Sequence, residues 1–423
     1  MSRCTKTQTT RSSKSRRLRF ESVKESPKGA KTAYGGVLMK SAYGLKIPEH
    51  DPELTHVGPA TPCGELLRRY WQPVCVSEEL KDLPKRVRIL GEDLLVFRDG
   101  NGRPGLIFFR CSHRGTSLEY GRIEDRGIRC CYHGWLYDVE GNVLDMPLEP
   151  VESTFKERIQ HPSYPVKEFG GLLFGYMGPL EKMPELPIYD VWMREGGFLK
   201  ARMGPRVGGA VNCNWLQSEE NLMDALHGVW LHTVHSGSQF PTDLHNTLPD
   251  EIAYEETDMG MRFVMTRKLR NGKWWDVIWE MIMPLNIHLT YTDEPTTEKV
   301  RSIAFCVPVD DTHQIGASIR WLSEHEIEEK TGREKLAPGG ISDRSYEFTQ
   351  RHPDDKEAQE GQGPIAIHAL EHLASSDRGV IMFRKILREA IDAVKEERDP
   401  KGIIRDPNKA RCVATTGGSI IRD

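Results

Sequence analysis

Two short segments, Cys111-Ser112-His113 and Cys130-Cys131-Tyr132-His133, are separated by sixteen residues. Each follows a short apolar run, "LIFFR" and "GIR", that reads as a strand. A fold that accommodates them must bring two strand ends together so that two thiols and two imidazoles meet. Two metal centres satisfy that donor set. One is tetrahedral zinc with two cysteines and two histidines. The other is a [2Fe–2S] cluster with the cysteines on one iron and the histidines on the other. Nine cysteines scattered over 423 residues form no disulfide framework and read as reduced thiols. That usage predicts a cytoplasmic protein. The doubled cysteine at 130 and 131 then has one chemical member, Cys130, and one bystander that reads as a small partly buried filler.

A second constellation lies in "NWLQSEENLMDALHGVWLH", residues 214–232, which holds Glu220, Asp224, His227 and His232. Two imidazoles and a carboxylate that leave coordination positions open are what non-haem iron requires. Asp224 and His227 are three apart and neighbours on a helix. His227 and His232 are five apart, which on an undistorted helix points them about 140° from each other. A helix end or π-bulge near Gly228 is therefore predicted. The plainer reading is a mixed helix whose histidines sit on its surface.

Charge is distributed unevenly. Residues 1–38 carry ten Lys/Arg against two Glu, although the whole chain has a formal charge of −4. Residues 1–45 read as a disordered basic extension. The acidic remainder excludes nucleic acid as a partner, and no apolar run reaches the ~18–20 residues of a membrane span. Residues 86–110 and 135–146 read as hairpins around Asp99–Gly102 and Glu140–Asn142. The proline-studded "PLEKMPELP" at 179–187 marks a domain boundary. Beyond it, five strand-like runs between 252 and 321 suggest one antiparallel sheet. "RHPDDKEAQEGQG", 351–363, reads as a flexible loop. In 378–398, Val380, Phe383, Leu387, Ile391 and Val394 recur at helical spacing.

"CSHRG…CCYHGW" resembles the cluster-binding loops of the Rieske non-haem iron oxygenases, and "NW…ENLMD-x-x-H-x4-H" is similar to their mononuclear iron motif. "VGPATPCGELLRRYWQPV", "DMPLEP" and "EHL…SDRGVI" look like the phthalate 4,5-dioxygenase branch. The resemblance spans roughly residues 46–400. It implies an α+β protein: a Rieske β-sandwich with a leading helix at 46–185, then a helix-grip catalytic domain at 186–423, an antiparallel sheet with helices. It assigns Cys111, His113, Cys130 and His133 to the [2Fe–2S] cluster, and His227, His232 and Asp377 to mononuclear Fe(II). Asp354 and Asp355 are rivals of Asp377. Ser112 and Cys131 depart from the family pattern, where proline, or proline and valine, are commoner.

The resemblance further implies a terminal oxygenase subunit that hydroxylates or O-demethylates a small aromatic compound, in particular an aromatic carboxylate. O2 would be the oxidant, and a separate NAD(P)H-dependent flavin/iron–sulfur reductase the electron source. It implies a homotrimer in which Asp224 links a cluster histidine, His133 in the first instance, to His227 of the neighbouring subunit. Trp275, Ile278, Trp279, Met281 and Ile287 are candidates for the pocket wall, where a buried Arg or Asn would meet a substrate anion. The competing functional reading is a Rieske-type electron carrier with no oxygenase activity, which would leave the second motif without a role.

Overall fold

A computed structural model describes residues 45–204, 212–237, 247–283, 286–288, 295–324 and 344–423. The basic extension, apart from Leu45, lies outside them. In the strand Trp274–Ile282 the sequence alternates, and Trp275, Val277 and Met281 turn one face inward at no more than 2 % exposure. Its neighbour Gly260–Lys268 sets Phe263 opposite Trp279, Met265 opposite Val277 and Arg267 opposite Trp275. These two strands belong to one antiparallel sheet. Its order is Gly197–Gly204, His313–Ser323, Ser302–Asp310, Asn286–His288, Trp274–Ile282, Gly260–Lys268, Glu251–Glu256. The C-terminal strand Gly418–Arg422 pairs beside the first half of Trp274–Ile282. The five expected strands are present, the run 286–292 in its described part, Asn286–His288, while 289–292 lie outside the described residues. Gly197–Gly204, Glu251–Glu256 and Gly418–Arg422 go beyond them, because short runs broken by Lys, Arg and Glu carry little apolar alternation.

The helix Arg378–Lys395 lays Phe383, Ile386, Leu387 and Ile391, all at most 1 % exposed, against the helix Trp215–Met223 and the large sheet. Gly379 sits at their crossing. A β-carbon there would fall 2.0 Å from the Met223 carbonyl oxygen and 2.8 Å from the Tyr254 ring. Gly379→Ala will therefore force the two helices apart at the residue before Asp224. It will lower stability by about 1–3 kcal/mol, read as a fall in melting temperature. An unchanged melting temperature would show that the crossing can relax.

Three smaller antiparallel sheets precede the large one. Residues 86–110 form not one hairpin but three strands, Lys85–Ile89, Glu92–Arg98 and Pro104–Phe108. The extra turn is Leu90-Gly91, both at positive φ, and its two amides donate to the carbonyls of Pro308 and Val309. The hairpin tip is thereby joined to the large sheet. A strand pair, Trp71–Val76 with Leu172–Tyr176, shares the main core with the large sheet. Leu95, Phe97, Ile107, Phe109, Leu118 and Ile128 form a second core under the two cysteine–histidine loops. The α+β architecture is the expected one. Among the described residues no helix is long and apolar enough to cross a membrane.

Candidate functional site

Both cysteine–histidine loops are built on the same turn. The amide of Gly115 donates to the Cys111 carbonyl at 2.8 Å, and that of Gly134 to the Cys130 carbonyl at 3.1 Å. Each glycine stands four residues after its cysteine at positive φ, +72° and +76°. At Gly134 a β-carbon would also strike Pro147 at 2.6 Å, so no other residue fits. The matching turns point both thiols inward, with Cys111 and Cys130 at 4 % and 3 % exposure. The imidazoles project outward and approach each other edge to face, 4.5 Å between ring centroids. Trp135 stacks on His113 at 4.7 Å and 11°, which explains the tryptophan that follows the second glycine. Burial pushes the Cys130 thiol up to about 11. That sulfur would therefore become a thiolate through a metal rather than by free ionisation. Inward sulfur pair, outward imidazole pair: the donor set fits a Rieske cluster.

Around this centre lie groups that sequence reasoning did not pick out. The Tyr137 hydroxyl is 3.0 Å from the Cys111 sulfur. His161, fully buried, places Nε2 2.8 Å from the Phe108 carbonyl and Nδ1 2.7 Å from the Ser112 hydroxyl. A carbonyl can only accept, so Nε2 carries the proton and Nδ1 accepts from Ser112. The serine that departs from the family pattern thus has a specific partner, 49 residues away. Cys131 is exposed rather than a partly buried filler.

The second constellation folds as Trp215–Met223, a break at Asp224, one turn His227–Val229 and a π-helical turn Trp230–His235. The predicted distortion is present. By widening the helix just past Gly228 it closes the angle between the two histidines, whose ring centroids stand 5.5 Å apart. The Nδ1 of His227 donates to the Asp224 backbone carbonyl at 2.7 Å, leaving Nε2 to face the site. The Nε2 of His232 likewise faces inward, 3.0 Å from Oδ1 of Asp355. His227 Nε2, His232 Nε2 and a carboxylate oxygen of Asp355 lie within 4.8 Å of one another. Two imidazoles and one carboxylate on one side of a site suit iron. The amide of Asn221 reaches both the Asp355 carboxylate at 3.2 Å and His227 Nε2 at 3.4 Å.

These residues line an open cavity with Phe263, Met265, Arg267 and Trp279 also in its wall. Phe263 and Trp279 stack 5.9 Å apart at 12°. Arg267 is 3 % exposed. Its Nε and Nη2 reach the Thr247 carbonyl at 3.4 and 3.3 Å. Among the described residues no carboxylate pairs with it. Burial pulls its pKa down to about 10, opposed by the charge of Asp250, so it stays cationic at neutral pH.

Residues 70–165 match the Rieske [2Fe-2S] domain family. Over 377 residues the chain is 41% identical to phenoxybenzoate dioxygenase subunit alpha of Ectopseudomonas oleovorans, covering 86% of this chain and 90% of that one. The oxygenase subunit of tert-butanol monooxygenase / tert-amyl alcohol desaturase from Aquincola tertiaricarbonis is 38% identical, over 88% of this chain and 82% of its own length. The chain belongs to the Rieske non-haem iron oxygenases. Among solved structures, a caffeine-bound mutant of NdmA from Pseudomonas putida CBB5 shares the fold. Its TM-score is 0.61 at 20% identity, over 85% of this chain and 98% of that one.

The oxygenase is thus a terminal, O2-using subunit that draws electrons from a redox partner and carries a Rieske cluster and a mononuclear iron. The electron-carrier reading falls away. One expected site residue is corrected: Asp377 is not brought to the histidine pair. Its carboxylate accepts the Ala374 amide at 2.5 Å, fastening the turn that leads into the long helix. Asp355 stands in its place, because 351–363 is not all loop. Asp354 and Glu357 form a capping box that starts the helix Asp355–Glu360 and aims its first residue at the histidines. That D-x-x-E signal is legible in the sequence.

Of the expected wall residues whose side chains are described, Trp279 alone lines the cavity. Trp275 and Met281 are core, Ile278 lies on the opposite face of the strand by the two-residue alternation, and the side chain of Ile287 is outside the described residues. Glu220 is not brought to the histidine pair. Arg384 holds it and Glu371, filling that acidic cluster with its own cation. Asp224 meets His227 through its backbone carbonyl, while its Oδ1 caps the amides of Leu226 and His227 at 2.9 and 3.3 Å.

Proposed function

We propose that the oxygenase acts on an aromatic carboxylate held between the Phe263–Trp279 wall and His227, His232 and Asp355, with Arg267 binding the carboxylate. The observation that carries this is Arg267: a buried guanidinium with donors to spare, in the wall of the cavity that the histidines and Asp355 line. A buried charge without a counter-charge is unfavourable. An anionic substrate would supply it, with charge-assisted hydrogen bonds that orient the ring. The named substrate of the relative most similar above is phenoxybenzoate, while that of the other is a small neutral alcohol. Family membership leaves both open, and Arg267 favours the acid.

His227, His232 and Asp355 would hold the iron, and Cys111, Cys130, His113 and His133 the cluster. Together these groups supply electron storage and O2 activation. The chain contributes orientation. Asp224 fixes the proton of His227 on Nδ1, so that Nε2 is unprotonated toward the metal. We further propose the head-to-tail homotrimer, in which the outward-facing His113 or His133 approaches Asp224 of a neighbouring subunit. The electron donor would be an NAD(P)H-dependent flavin/iron–sulfur reductase, in the cytoplasm.

The test pairs phenoxybenzoate with its amide, in single turnovers of reduced protein with O2, with product mass measured. Oxygenation of the acid with at least a tenfold preference over the amide supports the proposal. Equal turnover of both, or turnover of tert-butanol alone, overturns the carboxylate reading.

A further inference from the structure

We propose that a buried polar zipper between the helices Trp215–Met223 and Asp355–Glu360 positions the carboxylate corner of the iron site, with Ser218, Gln359 and Gln314 as positioning residues. The inference rests on the reading of Asp355 as an iron ligand. It concerns residues that do not touch the site.

The helix carrying Asp355 has six residues, too few to be stable by itself. Its placement must come from its contacts. Asp355 and Gln359 are four apart and share one face, and on the partner helix Ser218 and Asn221 are three apart and share another. Across the gap Asn221 meets Asp355, and the Ser218 hydroxyl meets the Gln359 side-chain carbonyl. Gln217 completes the seam. Its Nε2 donates to the carbonyls of Gln359 and Gly363 at 2.8 and 3.0 Å, and its Oε1 accepts from the Ala366 amide at 3.0 Å.

Hydrogen-bond direction makes the chain self-consistent. Gln314, on the sheet, donates its Nε2 proton to the Ser218 oxygen. The serine proton is then directed to Gln359, and the Gln314 carbonyl accepts from the Cys306 thiol. Gln217, Ser218, Gln314 and Gln359 are all at most 3 % exposed, so no water can replace a lost partner. The histidines continue from one helix and Asp355 begins the other. The seam therefore sets the distance across which all three donors meet a metal.

The experiment uses full-length protein with its Rieske cluster, stripped of mononuclear iron and titrated anaerobically with Fe(II). Ser218→Ala, Gln359→Met and Asp355→Ala are compared with wild type. Gln359→Met keeps the volume and removes the acceptor, and Ser218→Ala stands in should that variant not fold. Expected are about tenfold weaker Fe(II) binding in Ser218→Ala and Gln359→Met, the size typical of losing support to a metal ligand, with the cluster's EPR signal unchanged. Wild-type affinity in both variants, whatever their melting temperatures, overturns the positioning role while leaving the site intact. Undiminished Fe(II) binding in Asp355→Ala overturns the ligand assignment and the zipper's purpose with it.

Discussion

Asp355→Ala will leave the Rieske cluster's visible and EPR spectra unchanged and empty the mononuclear iron site, with turnover falling more than about 100-fold. That exceeds the 10–100-fold loss typical of residues that only support a ligand. The reason is geometric: among the described residues Asp355 supplies the carboxylate oxygen that lies within 4.8 Å of both imidazole nitrogens, and two histidines alone do not satisfy an iron that prefers mixed nitrogen and oxygen donors. Asp377→Ala is the decisive companion. Its carboxylate serves the Ala374 amide, so it will keep its iron and lose only about 1 kcal/mol of stability, the usual value of a helix-start contact. Metal analysis of the two variants separates the alternatives. Iron retained in Asp355→Ala and lost in Asp377→Ala would reverse the assignment.

Arg267→Met will raise KM for an aromatic carboxylate by roughly ten- to hundredfold. This corresponds to about 1.5–3 kcal/mol for hydrogen bonds to a charged group. Methionine keeps much of the apolar stem and removes only the guanidinium, whose Nη1 lies 4.0 Å from the Met265 sulfur. The protein itself will be no less stable, and melting curves will show it, because the variant relieves a cation that no carboxylate of the described chain pairs with. Neutral substrates of the same shape will bind as well or better. A variant whose KM for carboxylates is unchanged would assign Arg267 to holding the Thr247 segment alone.

Much of the site was legible because metal ligation leaves a local signature. Cys111, His113, Cys130 and His133 stand out as two cysteine–histidine pairs that resemble the family's loops, and the turns that hold them, closed by Gly115 and Gly134, are local. The π-turn was likewise legible, from the mismatch between a five-residue spacing and a 3.6-residue helix. Asp355 was not chosen, because a polar run rich in Asp and Glu reads as loop unless its capping box is noticed. Its distance in sequence from His232, 123 residues, gives no local cue. Arg267 left a fainter trace. It continues the buried alternation of Phe263 and Met265 on one face of a strand, where a charge is out of place. Trp275 and Met281 were chosen with Trp279 although they are core, because apolarity marks both core and cavity wall.

By itself the sequence determined the cofactors and the family. Thiol and imidazole chemistry left zinc open beside the cluster, and it was the resemblance of both motifs to the Rieske oxygenases that carried the choice. Only the tertiary structure brought Asp355 to the two histidines, set Arg267 in the cavity wall and formed the seam of Gln314, Ser218 and Gln359. Each of these is a meeting of side chains from distant segments. Which carboxylate reaches a metal, or which arginine is denied a partner, depends on how helices and sheet pack, and residue spacing does not encode packing distances.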